Sequence, residues 1–367
     1  MTLPTLRSEF ESRLAALAVE KGILSVEHVD GALAARNLAD PASPLERTLV
    51  SMGYLTGLQA EDLARAAAQP EKPAPAEPLI QIVGHCTLLE PIGRGASGSV
   101  YKAFHPELRR EVALKLVTRN ALNAPHLERF AERAERALAV EHESFARVHE
   151  VGRHKGALYI ASELVKGIPL YNLVCLRGPL DLGSAITVLK QVGAALGAVH
   201  DAGAVHGNLK AENVFLTGGS AVKVTDPGLA RDGVDFLRDL AYVSGDIIFY
   251  LPPEQWIGEA RPASDIYACG VLWHFMLSGR FAFGHRWTRE IRKNHEEAVS
   301  EPPSAYRDDL PPGADVLYRT MVQKDPELRY ARAADMVADL DRLERGLPPA
   351  GAGRRTTRIR RLGRPGM

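Results

Sequence analysis

Apolar residues recur at helical spacing through the first 69 positions. Leu14 and Leu17, then Val26, Val29 and Leu33, fall on one face of successive turns. The pattern repeats 31 residues later: Val19-Glu-Lys-Gly22-Ile-Leu24-Ser25 matches Val50-Ser-Met-Gly53-Tyr-Leu55-Thr56. In each copy the glycine predicts a helix end, where a positive φ is needed. The Ser25 or Thr56 that follows predicts the next helix start, because its hydroxyl accepts from free N–H groups. Two helix–turn–helix copies predict a small all-α module over 1–69, too short for a solenoid.

The pattern then changes. Four prolines fall between 70 and 79. Proline removes N–H donors and extends the chain, so 70–83 reads as a semi-rigid linker. Residues 80–165 read as strands around a Gly-rich turn, followed by a charged amphipathic helix near 123–141. Residues 166–347 are mostly helical, with a loop-rich centre at 205–254. The end, 348–367, holds six arginines and no acid, and predicts a basic disordered tail.

Composition narrows the function classes. The 367 residues suggest two or three domains, and 46% hydrophobic with 25% charged is ordinary globular content. Lys+Arg and Asp+Glu are both 45, so no net charge points to nucleic acid or a membrane surface. Cys86, Cys175 and Cys269 lie far apart without a CxxC pair, which predicts free thiols and a cytoplasmic setting. The opening residues carry acids early, so no signal peptide is expected. The apolar run near Ile266–Leu277 is too short to span a bilayer, and no transmembrane segment is expected. The histidines, among them His85, His149, His154, His274, His285 and His295, show no metal-ligand spacing along the chain.

The candidate chemistry starts at Ile92-Gly-Arg-Gly-Ala-Ser-Gly-Ser-Val100. Gly93, Gly95 and Gly98 form GxGxxG, where missing side chains let backbone N–H groups approach phosphate oxygens. Val112-Ala113-Leu114-Lys115 then places an ammonium beside the loop. Further along come Glu163-Leu-Val165, His206-Gly-Asn-Leu-Lys-Ala-Glu-Asn213, Asp226-Pro-Gly228, Pro252-Pro-Glu254, Ser264-Asp-Ile-Tyr-Ala-Cys-Gly270 and Lys324-Asp-Pro-Glu-Leu-Arg329. In this order the motifs resemble the bacterial eukaryotic-like Ser/Thr protein kinases over about 84–347.

That resemblance implies an α+β bilobal fold, with a β-rich N-lobe over 84–165 and a helical C-lobe over 166–347. It implies ATP held by Ile92, Gly93, Gly95, Gly98, Val100, Ala113 and Lys115, with Glu163 and Val165 in the adenine hinge. Asn213 and Asp226 would hold Mg²⁺, and Lys210 would reach the γ-phosphate. Arg329 would pair with Glu254.

The departures bear on activity. Asn208 stands where active relatives have the aspartate that accepts the substrate proton, and a neutral amide cannot accept one. Ungapped counting places Arg133 where a glutamate should pair with Lys115, with Glu132 and Glu135 as the acids a small helix rotation would recruit. Gly207 replaces an arginine that would bind a phosphorylated loop. Pro227 replaces an aromatic residue and disfavours helical conformations at Asp226. The segment Leu229–Val243 contains no Ser or Thr.

Three readings stay open: an ATP-binding pseudokinase acting as scaffold or allosteric partner of another protein, a weakly active Ser/Thr kinase, and a ligand-sensing N-terminal module with a vestigial kinase domain. That module is similar to the helical domain at the front of type II secretion ATPases. The likeness implies a cyclic dinucleotide as a candidate ligand, although Ala15 and Arg36 depart from the pattern.

Overall fold

The computed structural model describes residues 9–20, 23–24, 29, 32–33, 43–52, 54–68, 81–95, 98–117, 124–226, 247–284 and 288–353. Two compact units divide the chain, with the main break between Leu79 and Ile80.

The N-terminal unit contains α1 (Glu9–Glu20), α2 (Leu45–Ser51) and α3 (Gly57–Ala68). The 31-residue repeat is a structural repeat. Leu14, Ala18, Leu24, Val29 and Ala32 are buried in one core with their counterparts Leu45, Leu49, Leu55, Ala60 and Leu63. The turns repeat as well: Ile23 N and Leu24 N donate to Ala18 O, and Tyr54 N and Leu55 N donate to Leu49 O. Thr56 opens α3 as expected, since its hydroxyl accepts from Gln59 N at 3.2 Å and Gln59 Oε1 accepts from Thr56 N at 2.8 Å. Gly22, Ser25 and Gly53 lie outside the described residues.

The second unit begins with a six-stranded sheet: β1 (Ile82–Val83), β2 (Cys86–Gly95), β3 (Gly98–His105), β4 (Arg110–Val117), β5 (Val148–His154) and β6 (Ala157–Glu163). Its order is β1-β2-β3-β4-β6-β5. Ile82 and Val83 therefore belong to the sheet, although the proline pattern extends the linker to residue 83. The physical reason is pairing with Cys86 and Thr87, which a composition shift does not reveal. Alternation along β4 separates two faces. Val112, Leu114 and Leu116 pack in a small core with Cys86, Ala103, Tyr159 and Ala161. Ala113, Lys115 and Val117 point the other way, and Val117 joins the main core beside Ala131 and Ala134 of α4 (Ala124–Ala137).

The helical lobe contains a small sheet, β7 (Ile168–Pro169), β8 (Val214–Leu216) and β9 (Val222–Val224). Around it lie α5 (Leu170–Arg177), α6 (Leu182–Asp201), α7 (Pro262–Ser278), α8 (Thr288–Glu297), α9 (Pro312–Met321) and α10 (Ala333–Glu344). Helix α6 is capped by Asp181, whose carboxylate accepts from Ser184 N at 2.9 Å. By length and composition α6 suits a bilayer, but Ile186, Leu189, Val192, Leu196 and Val199 are buried in the lobe's core. The order at residues 350–353 departs from the disorder expected from residue 348 onward. Ala350–Gly353 forms a 3-10 turn, and the Asp339 carboxylate accepts from Ala350 N at 2.6 Å and Gly351 N at 2.9 Å. Residues 354–367 lie outside the described residues.

Candidate functional site

One row of cross-strand partners builds the ceiling of the site. Gly93 pairs with Val100, Val100 with Lys115, and Lys115 with Ile160. Directly opposed residues share a face, so Val100 and Lys115 point the same way. Ala113 follows on the same face, opposite Ser162, whose hydroxyl donates to Ala113 O at 3.3 Å. Gly95 and Gly98 close the hairpin. Gly98 has φ +147, and a Cβ there would lie 2.0 Å from Leu116 O. Glycine is therefore demanded by backbone approach at that position. Gly93 has no such neighbour; the nearest atom, Val100 Cβ, is 3.8 Å away. Ile92 sits at a register shift in β2 and is 47% exposed.

The floor is the segment from His206 to Asn213. Asp265, 1% exposed, organises it by accepting from His206 N at 2.9 Å, Gly207 N at 2.7 Å and His200 Nε2 at 2.8 Å. His206 is fully buried. Its Nδ1 accepts from Asn208 N at 3.3 Å, so Nε2 carries the proton and donates to Thr225 O at 3.0 Å. Burial lowers its pKa, which keeps the ring neutral and structural. Gly207 adopts φ +64, where an arginine would be strained, and Gln255 Nε2 donates to its carbonyl at 2.6 Å. Lys210 is half-buried and precedes the 3-10 turn Ala211–Asn213.

Asn213 Nδ2 donates to Asn208 O at 2.8 Å, which fixes the amide and leaves Oδ1 as its acceptor. Asn213 O accepts from Thr225 N at 2.8 Å, tying the turn to the residue before Asp226. Asp226 itself has φ +62. Outside glycine that conformation is uncommon, and aspartate tolerates it better than most residues. This is not the extended backbone that a following proline favours. The Asp226 carboxylate is not turned away from the site: Oδ2 accepts from Lys115 Nζ at 2.7 Å. Asn208 Nδ2 lies 3.5 Å from Asp226 O.

Lys115, Asn208, Asn213 and Asp226 are thus brought together. Glu163 ends β6; its carboxylate accepts from Lys223 Nζ at 2.7 Å, and Val165 follows in the unpaired connection to β7. Glu132 and Glu135 are exposed, and the carboxylate meeting Lys115 is Asp226. The side chain of Arg133 and all of 227–246, including Pro227 and Ser244, lie outside the described residues.

Behind the floor, Arg329 and Glu254 form the expected pair. Arg329 donates to Glu254 Oε1 at 2.6 Å and to Oε2 at 2.9 Å, with Ser264 Oγ donating to Oε1 at 2.7 Å. The Gln323, Lys324 and Ala263 carbonyls take the remaining guanidinium donors.

A family model described as protein kinase domain matches residues 86–339. The chain belongs to the protein kinase family. Among curated relatives it is 32% identical over 296 residues to serine/threonine-protein kinase PknA of Mycobacterium tuberculosis, covering 78% of this chain and 66% of that protein. It is 33% identical over 269 residues to serine/threonine-protein kinase PknB of the same organism, covering 71% of this chain and 43% of that protein. The chain therefore spans about two thirds of the first relative's length and under half of the second's.

Kinases use ATP and Mg²⁺, and the donor set fits a hard cation. Asn213 Oδ1 and the Asp226 carboxylate are oxygen ligands, and the 2.8 Å bond from Asn213 Nδ2 holds the amide in the required orientation. A magnesium ion there would offset the charge of the phosphate oxygens. Sequence reasoning missed His200 as a partner of Asp265, because no local signal links residues 65 apart. It also missed the cluster of His85, His105 and Glu150.

Proposed function

We propose that this chain binds ATP with Mg²⁺ between its two lobes and acts as a pseudokinase. The bound state would be passed to a protein partner, with the 1–69 module as the docking unit. In this reading Lys115 holds the phosphates, Asn213 and Asp226 hold the cation, and Gly93, Gly95 and Gly98 carry the backbone over the nucleotide. Its setting is a reducing cytoplasm, where Cys86, Cys175 and Cys269 stay free.

The carrying observation is Asn208. Its amide lies beside Asp226 O; the family resemblance puts the proton acceptor at this position, and an amide cannot take that proton. Losing a general base slows a reaction by about 10²–10⁴-fold, or roughly 3–5 kcal/mol. The exposed Glu132 and Glu135 support the same reading, since Lys115 has no second carboxylate from them.

A second reading is a slow Ser/Thr kinase. The Lys115–Asp226 pair beside Asn213 favours it, because phosphoryl transfer relies mostly on positioning and charge. The deciding experiment is turnover of γ-labelled ATP by the full chain with a generic protein acceptor. No transfer above the Lys115→Ala background supports the pseudokinase. Transfer abolished by that substitution supports the slow kinase.

A further inference from the structure

The N-lobe carries a second polar cluster that the nucleotide chemistry does not use. His85 lies in the turn between β1 and β2, His105 ends β3, and Glu150 is on β5. His85 Nε2 is 2.9 Å and His105 Nε2 is 3.2 Å from the same oxygen, Glu150 Oε2. The three ligand atoms all lie within 4.8 Å of one another. A zinc tetrahedron with bonds of about 2.0–2.1 Å has edges of about 3.3 Å. Both nitrogen–oxygen separations are close to that edge.

The surroundings position the cluster. Tyr159 OH donates to Glu150 Oε1 at 2.6 Å, which leaves Oε2 to the two imidazoles. Such a bond is the usual outer support of a ligating carboxylate. Tyr159 is itself clamped between two glycines. A Cβ at Gly84 would lie 2.3 Å from Tyr159 OH, and one at Gly152 would lie 2.5 Å from Tyr159 Cζ. His154 Nδ1 accepts from Gly84 N at 3.3 Å and steadies the turn that carries His85. His105 is buried at 4% exposure.

We infer that His85, His105 and Glu150 form a zinc-class divalent cation site on the N-lobe. Two imidazoles and one carboxylate suit zinc better than magnesium or calcium, with water as the fourth ligand. Ligation requires unprotonated Nε2 atoms. His105 Nδ1 accepts from Leu108 N at 3.3 Å in the apo form. On ligation the ring proton moves to Nδ1, and Leu108 N, in an exposed turn, passes to water. His85 and Glu150 come from opposite edges of a sheet ordered β1-β2-β3-β4-β6-β5. The cation would therefore close the curled sheet on itself. The site is distinct from the phosphate loop, since His105 and Gly98 are at opposite ends of β3, about 23 Å apart along the strand. Sequence spacing gave no sign of it, because sheet curvature brings the ligands together.

The test is a zinc titration of the untagged, chelator-stripped full chain, in competition with a chromophoric chelator. Cobalt absorption reports the ligand geometry. The expected result is one zinc per chain with tetrahedral cobalt bands. His85→Ala, at a half-exposed position, and Glu150→Gln, which keeps an acceptor for Tyr159, should each lose that equivalent. Tyr159→Phe should weaken it about 10–100-fold, and Asp226→Asn should retain it. No zinc taken from the chelator, or an equal uptake by His85→Ala and Glu150→Gln, would overturn the site and leave a hydrogen-bonded cluster.

Discussion

Lys115 Nζ and Asp226 Oδ2 lie 2.7 Å apart, joining the third long strand of the N-lobe to the segment that follows β9. The lysine side chain is 9% exposed and the aspartate 33%. In the proposed site the same ammonium would bond phosphate oxygens, and a charge-assisted bond contributes about 1.5–3 kcal/mol. Lys115→Ala should therefore lower ATP affinity about 10–100-fold in a binding titration, with little change in the folded spectrum. Unchanged affinity would remove Lys115 from the nucleotide site.

In the proposed reading, Asn208→Asp supplies a carboxylate where a substrate proton would go. If the missing base is the main defect, phosphoryl transfer should rise about 10²–10⁴-fold over the unsubstituted chain. An initial-rate assay with labelled ATP reads this directly. No rise would mean that something other than the base limits transfer.

Gly98 and Gly93 differ although both belong to GxGxxG. Gly98→Ala must move Leu116 O, which lies 2.0 Å from the new Cβ, at a residue with φ +147. A loss of about 1–3 kcal/mol in stability and weaker nucleotide binding are expected. Gly93→Ala meets nothing closer than 3.8 Å and should leave stability within about 0.5 kcal/mol. Urea denaturation of both variants makes the comparison, and equal losses would contradict the geometry.

Arg329 is fully buried with Glu254, and all its donors are satisfied. Removing one partner strands the other charge. Arg329→Ala and Glu254→Ala should each destabilise by about 3–5 kcal/mol, and the double variant by clearly less than their sum. Additive losses in chemical denaturation would show that the two do not act as a pair.

Burial lowers the pKa of His274 from 6.5 to about 4. The unfolded chain then binds the proton first, so stability is full above pH 6.5 and is lost progressively as pH falls toward 4. The linkage amounts to roughly 3 kcal/mol for this one residue. His206 and His295, also lowered by burial, act in the same direction. His274→Gln should flatten the acid limb of a stability-against-pH curve measured by denaturant titration. An unchanged acid limb would rule out this linkage.

Much of the fold was legible because it rests on local patterns. The 31-residue repeat became a paired core, with Leu14 matched to Leu45 and Leu24 to Leu55. Thr56 capped its helix, and Glu254 met Arg329 as the motif order implied. Relations that depend on curvature and rotation were not legible. Counting along the chain sought a partner for Lys115 on α4, where Glu132 and Glu135 are exposed; the partner is Asp226, 111 residues away. The replacement of arginine by Gly207 read as a lost ligand, yet its φ of +64 also relieves backbone strain. The anchoring of His206 and Gly207 by Asp265 needed the packed helix α7 to become visible.

The proposed reading requires that the cleft take a metal–nucleotide complex. Calorimetric titration of the full chain with ATP, with and without Mg²⁺, tests it most directly. Saturable binding is expected, strengthened by Mg²⁺ and made insensitive to Mg²⁺ by Asp226→Asn. No binding under either condition, or an affinity indifferent to Mg²⁺, would contradict it and leave the kinase domain as an interaction module alone.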